Sequence, residues 1–163
     1  MLMKTGNANI DATCLDTWHI NRSMRTFAKD ALRPLGLNVA EAIALIVLSM
    51  IGGEGSQRQL LDQIAEMSAA PVEDSLLDKG LLTRTMQSLE GKNYIVRSKN
   101  PNDSRSYLFA LTKEGMQFKE IMFETMSIWV DKAFCQVSKE DIETCAKVIK
   151  TVKENLSKES VRS

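Results

Sequence analysis

Histidine is nearly absent from this chain of 163 residues, which holds His19 alone. A histidine-based metal cluster or a Ser-His-Asp triad therefore has no material to be built from. The three cysteines, Cys14, Cys135 and Cys145, are odd in number and widely spaced, with no Cys-x-x-Cys pair. That spacing argues against a disulfide framework or a zinc knuckle and fits reduced thiols in a cytoplasm. Long apolar runs are missing as well. The longest, around Ala42–Leu48, is far too short to span a bilayer, and the opening MLMKTGNANI lacks the apolar stretch of a signal peptide. Gly52-Gly53-Glu54-Gly55 lacks the Gly-Lys-Ser/Thr of a phosphate loop and reads as a helix connection. There is no internal repeat and no low-complexity linker. With no assembled catalytic group, an enzyme is the least supported class; no metal or other cofactor is expected. The expectation is a cytoplasmic protein without a membrane partner.

Net charge is also missing: 21 basic residues balance 21 acidic ones. A nucleic-acid partner would then require locally concentrated positive charge. Segment 79–105 supplies it, with Lys79, Arg84, Lys92, Arg97, Lys99 and Arg105 against Glu90 and Asp103. The preceding segment 54–78 has the opposite balance, with six acids against Arg58. A solvated charged face is the plainer alternative to a polarised binding surface.

What is present is helical periodicity. From about Asp11 to Arg33, apolar residues recur at Ile20, Met24, Phe27 and Ala31, until Pro34 and Gly36. Asn38 and Glu41 form a capping-box signal before AEAIALIVLSMI, whose nearly uniform apolarity predicts a buried helix. Ser56 with Gln59 repeats the signal, and Leu60, Leu61, Ile64 and Met67 give the next helix an inner face. Pro71 predicts a break or a first helical turn. Asp78 caps a further helix that runs to Glu90 with Gly91 as its stop, Leu82, Met86 and Leu89 facing inward. Met50, Met67 and Met86 sit at core spacing. Two β-rich runs, Tyr94–Ser98 and Tyr107–Leu111, flank the turn-forming KNPNDSRS. Thr112 and Ser138 with Asp141 open the last two helices. In the final one Ile142, Cys145, Ile149, Val152 and Leu156 recur at coiled-coil-like intervals.

This order predicts a mainly α fold: a winged helix-turn-helix core with a small β-hairpin wing, flanked by N- and C-terminal dimerisation helices. The expected divisions are a disordered start at 1–10, a first dimerisation helix at 11–37 and a DNA-binding domain at 38–112. C-terminal dimerisation helices follow at 113–157, with a frayed tail at 158–163. The flanking helices carry more apolar surface than such a core needs, which predicts a symmetric homodimer.

On the groove-facing side of the helix after Asp78, the candidate DNA contacts are Lys79, Thr83, Arg84, Thr85, Gln87 and Ser88. Gly80 permits close approach of the helix start to a phosphate. An arginine there can donate two hydrogen bonds to guanine O6 and N7, or hold a phosphate instead. In the hairpin, Arg97, Lys99, Asn100, Asp103 and Arg105 are the candidates. Arg105 suits a narrow minor groove, while Asp103 is expected to brace the turn.

Several spaced elements together carry a family resemblance: Thr83-Arg84, Leu89-Glu90, Tyr94-Ile95-Val96-Arg97, Asp103-Ser104-Arg105 and Leu111-Thr112-Lys113-Glu114-Gly115. Residues 78–115 resemble the winged-helix core of the MarR family of bacterial transcription regulators. The motif covers about a quarter of the chain. Its opening from Asp78, Asp-Lys-Gly-Leu-Leu-Thr, also resembles the organic-hydroperoxide-sensing branch. The resemblance implies a regulator, in all expectation a repressor, binding double-stranded operator DNA. It also implies a small aromatic or phenolic effector, for which Trp18 and His19 are candidate pocket residues. Cys14 lies roughly where the sensing branch places its reactive thiol, although the partnering tyrosines have no match nearby. A cysteine-based redox regulator of the same fold and a helical protein-interaction module are the alternatives. Residues 57–77 are longer than the family's usual first half of the helix-turn-helix.

Overall fold

The Asn7 side chain accepts hydrogen bonds from the amides of Asn9 and Ile10 and so opens the first helix, α1, Ala8–Leu32. The cap lies inside the stretch expected to be disordered, and the helix starts three residues ahead of Asp11. The computed structural model describes residues 7–68 and 77–159; the break or first turn predicted at Pro71 falls outside them. After α1, a short turn of 3-10 helix at Arg33–Leu35 ends on Gly36, whose φ of 64° is in the left-handed region that glycine tolerates.

The helix α2, Val39–Met50, opens with the complete capping box: the Glu41 amide donates to Asn38 and the Asn38 amide donates to Glu41. As its apolarity predicts, α2 is the central element, packed against α1, α3, α4 and α5. Its end is a Schellman turn. Gly53 N–H bonds the Leu48 carbonyl at 2.8 Å and Gly52 N–H bonds that of Ser49 at 3.3 Å, with Gly52 at φ 99°. The glycine run does more than connect helices. Glu54–Ser56 forms a strand, β1, before α3, Gln57–Ser68, and α4, Lys79–Gly91.

The hairpin strands are β2, Ile95–Lys99, and β3, Tyr107–Leu111, in register from Ile95 opposite Leu111 to Lys99 opposite Tyr107. β1 pairs antiparallel with the other edge of β3, giving a three-stranded sheet in the order β1-β3-β2. The wing is thereby anchored to the end of α2 through the middle of the sheet. Gly91 is the last residue of α4, and the left-handed residue that closes the turn after it is Asn93, at φ 62°. Tyr94 N–H bonds the Leu89 carbonyl and Asn93 N–H bonds that of Glu90, again a Schellman turn. Asparagine adopts the left-handed conformation more readily than other side-chain-bearing residues.

The core joins Leu45 and Leu48 of α2, Leu60 and Ile64 of α3, Leu82, Met86 and Leu89 of α4, and Ile95 of β2. Phe118 of α5, Lys113–Ala133, closes it and meets the Tyr94 ring edge-on. Met86 alone of the three expected core methionines is buried; Met50 and Met67 are exposed. The start of α5 approaches β2 so closely that a Cβ on Gly115 would run into the Tyr94 carbonyl oxygen. Gly115→Ala is expected to destabilise the protein by about 1–3 kcal/mol, the usual cost of overpacking. Unchanged thermal unfolding of that variant would show the contact to be looser than the structure has it.

α6, Lys139–Glu159, opens as predicted, with Ser138 accepting from the Asp141 amide. From Lys139 to Leu156 every residue of it is exposed, Ile149 at 61% and Leu156 at 62%. Ile20 and Trp18 of α1 are exposed too. The apolar stripes of these helices are real, yet within the single chain they have little to cover them. Among the described residues, no single helix is long and apolar enough to cross a membrane.

Candidate nucleic-acid interface

Asp78 accepts from the Leu81 amide at 2.7 Å and sets the start of α4. The inner stripe of Leu82, Met86 and Leu89 then fixes which way the helix is rotated. Lys79, Gly80, Thr83, Arg84 and Gln87 are left exposed on the opposite face. Thr85 is not among them. Its exposure is 5%, and a residue one position past Arg84 is turned about 100° towards the core. Ser88 is also removed from the candidate set: its hydroxyl donates to Glu41 Oε1 at 2.6 Å, on the inner side of the helix.

Glu41 is the centre of a buried polar node. It is 1% exposed, receives Lys92 Nζ at 2.7 and 2.9 Å, and accepts from Ser88 and the Asn38 amide. Lys92 also donates to the Gly36 carbonyl at 2.7 Å. Burial alone raises the carboxyl pKa. The hydrogen bonds from Lys92, Ser88 and Asn38, with the Lys92 charge, outweigh it and hold the group below the ordinary carboxylate range. Lys92, one of the basic residues that polarise segment 79–105, is thus spent internally. It ties the end of α4 to the start of α2.

The wing divides in the same way. Arg97 lies 3.6 Å from Glu90 and stacks over the Tyr107 ring at 4.6 Å, so it braces the base of the hairpin. Asn100 donates to Ser106 and accepts from the Asn102 amide, closing the turn. Asp103 accepts from the Arg105 amide at 3.0 Å, the bracing role expected of it. Lys99 and Arg105 remain exposed, and neither forms an ion pair among the described residues. Arg84 and Lys79 share that state. The cations available to a ligand are therefore fewer than the composition suggests, and they sit on α4 and the far half of the hairpin.

Sequence reasoning missed Gln57, the first residue of α3. Its side-chain amide donates to Thr83 Oγ1 at 2.7 Å and to the Lys79 carbonyl at 3.2 Å, joining the two helices at the exposed face. No local pattern signals a contact 26 residues apart in the chain. Elsewhere, Trp18 lines a cavity of about 560 Å³ with Asn21, Arg22, Arg25, Thr26, Lys29 and Val39. The Arg22 guanidinium lies over the Trp18 ring at 5.6 Å. His19 is not part of that lining, although its ring meets Trp18 edge-on. Cys14 is exposed. No group of three or more histidine, cysteine, aspartate or glutamate residues among those described is arranged to hold a metal.

Two helices joined at an exposed face, followed by a sheet with a projecting hairpin, define a winged helix-turn-helix protein. The MarR family pattern matches residues 47–107, which span β1, α3, α4 and most of the wing. The chain is 25% identical over 131 residues to HTH-type transcriptional regulator MhqR of Bacillus subtilis (strain 168), covering 80% of this chain and 82% of that one. To HTH-type transcriptional regulator BilQ of Clostridioides difficile (strain CD3) it is 29% identical over 86 residues, 51% of this chain and 58% of that protein. Solved structures share the fold. A MarR protein from Peptoclostridium difficile superposes with a TM-score of 0.73 at 19% identity, covering 98% and 94% of the two chains. A MarR family regulator from Listeria monocytogenes, solved with a 26mer DNA, gives 0.69 at 20% identity over 90% and 89%. Over residues 47–107 the chain is similar to the MarR family, and over most of its length it is similar to an HTH-type transcriptional regulator and shares the fold of solved MarR proteins.

Proposed function

We propose that the protein is a cytoplasmic repressor that binds a pseudo-palindromic operator as a homodimer and is released by a small effector. The observation that carries this reading is the α4 face, where Lys79, Thr83, Arg84 and Gln87 are exposed while Thr85 is buried and Ser88 is bonded to Glu41. Each subunit would place α4 in a major groove and direct Lys99 and Arg105 of the wing towards an adjacent minor groove. Half-sites would lie about one helical turn apart, ~10 base pairs, or a multiple of it. That the Listeria protein of the same fold was solved with DNA supports the assignment.

The second subunit is argued from α1, the end of α5 and α6. Ile128, Val130, Ile149 and Val152 are all exposed in the single chain, large apolar side chains of the kind that a partner surface would cover. A twofold partner covers the same face on both copies. The effector reading rests on the cavity at Trp18. An indole wall beside Arg22, Arg25 and Lys29 suits a small aromatic or phenolic molecule, best as its anion. Such a molecule shifts the equilibrium only by binding one arrangement of the dimer better than the other.

Sedimentation equilibrium and duplex selection from a random pool test the core of this proposal together. A dimer is expected, with operator affinity falling roughly 10³-fold or more between about 50 and 200 mM salt as counterions are released. Ile149→Glu should lower both dimer content and operator affinity. A folded monomer that enriches no duplex even at low salt would end the proposal.

A further inference from the structure

Thr83 stands on the exposed face of α4, yet its hydroxyl is already occupied. It donates to the Lys79 carbonyl at 2.8 Å and accepts from the Gln57 side-chain amide at 2.7 Å. The first bond ties the side chain to its own helix one turn back, and the second ties it to α3. Together they hold χ1 in a single well and use the only donor the side chain has. What Thr83 can still offer a base is chiefly its methyl group. One turn before it is Gly80, with no side chain to stand above that methyl; the nearest atom to a Cβ built there is Asp78 Oδ1, at 3.2 Å. The helix surface is therefore low beside Thr83, with the longer side chains of Arg84 and Gln87 next to it.

We propose that Thr83 is a specificity-determining residue that reads the C5-methyl of thymine, and that Gln57 is the positioning residue that keeps its hydroxyl out of the readout. Apolar contact with the thymine methyl is one of the distinct major-groove signals, and threonine is among the side chains that make it. The inference rests on the assignment of α4 to the major groove.

The test uses the full-length protein and a duplex that it has itself selected from a random pool. Each thymine of a half-site is replaced in turn by deoxyuridine, which removes the methyl and leaves the hydrogen-bonding edge unchanged. One thymine per half-site is expected at which this weakens binding roughly fourfold, the worth of one buried methyl. Thr83→Ser should bind the thymine and deoxyuridine duplexes equally. Thr83→Val keeps a methyl and should keep the difference. Gln57→Leu frees the hydroxyl to rotate and should shrink the difference without abolishing operator binding.

A flat deoxyuridine scan overturns the proposal, as does a Thr83→Ser variant that stays sensitive at the same position. If Arg84→Ala still weakens operator binding by roughly 30-fold or more in that case, the interface assignment stands and the methyl readout alone is wrong. If Arg84→Ala has no effect either, α4 is not the reading helix and both fall.

Discussion

Arg84→Ala should weaken operator binding by about 30-fold to 10⁴-fold, since in the proposed dimer each subunit would lose a bidentate base contact worth about 1–3 kcal/mol. The size follows from what Arg84 does not do. It forms no ion pair among the described residues and lies on the side of α4 away from the core, so truncation costs the fold little. A base contact and a phosphate contact leave different traces. If Arg84 reads guanine, the variant loses discrimination at one position of each half-site while its affinity for unrelated duplexes barely changes. A phosphate contact would weaken all sequences alike and lower the salt slope by about one per subunit. Arg105→Ala should give the second pattern in milder form, sharpened at A·T-rich flanks where the minor groove narrows. Arg97→Ala is the internal comparison, because Glu90 and Tyr107 already hold that guanidinium. Titrations of selected and scrambled duplexes, with circular dichroism to confirm folding, decide the matter. Full operator affinity in both Arg84→Ala and Arg105→Ala would refute the interface.

These distinctions mark the boundary of what the sequence discloses. The caps at Asn38, Asp78, Thr112 and Ser138 are local: each uses groups within three residues, so their pattern is visible without a structure. The hairpin is likewise local, and its register follows from a turn closed by Asn100, Asp103 and Ser106. Helix phase is harder. Thr85 and Ser88 are polar, as a groove-facing residue would be, but a rotation of about 100° per residue puts them on the inner side, where Ser88 meets a carboxylate. β1 has three residues, too few for any alternation to register, and exists because β3 offers it a free edge. The turn after α4 closes on Asn93 although Gly91 offers the commoner left-handed residue, because the bond from Tyr94 to Leu89 closes two residues later. Basic composition overstated the interface most. Lys92 and Arg97 add to the positive balance of segment 79–105, yet both are committed to carboxylates within the chain.

That commitment gives the largest expected effect on stability. Lys92→Met keeps the apolar stem and removes the ammonium, stranding a Glu41 carboxylate that is 1% exposed, and should cost about 3–5 kcal/mol. Ser88 and the Asn38 amide still donate to Glu41, which sets the cost towards the lower figure. The reverse change is milder at the node itself. Lys92 is 35% exposed and can turn its charged end into water when Glu41 is lost, although Glu41→Ala also forfeits half of the α2 capping box, worth about 1 kcal/mol. Replacing both, as Glu41→Gln with Lys92→Met, removes the stranded charge and should recover much of the single-variant loss. The pH dependence has a definite sign. Because the folded protein holds the Glu41 carboxyl below its ordinary pKa, the ion pair contributes fully above that value, about 4.3, and is lost as pH falls through the lower folded value. The gap in unfolding free energy between the natural protein and Lys92→Met should therefore be widest near neutrality and narrow below about pH 4. Denaturant unfolding of the four proteins at pH 7 and in mild acid reads all of this. A Lys92→Met loss under ~1 kcal/mol, or a gap that widens on acidification, would mean that Glu41 is not the buried anion joining the start of α2 to the end of α4.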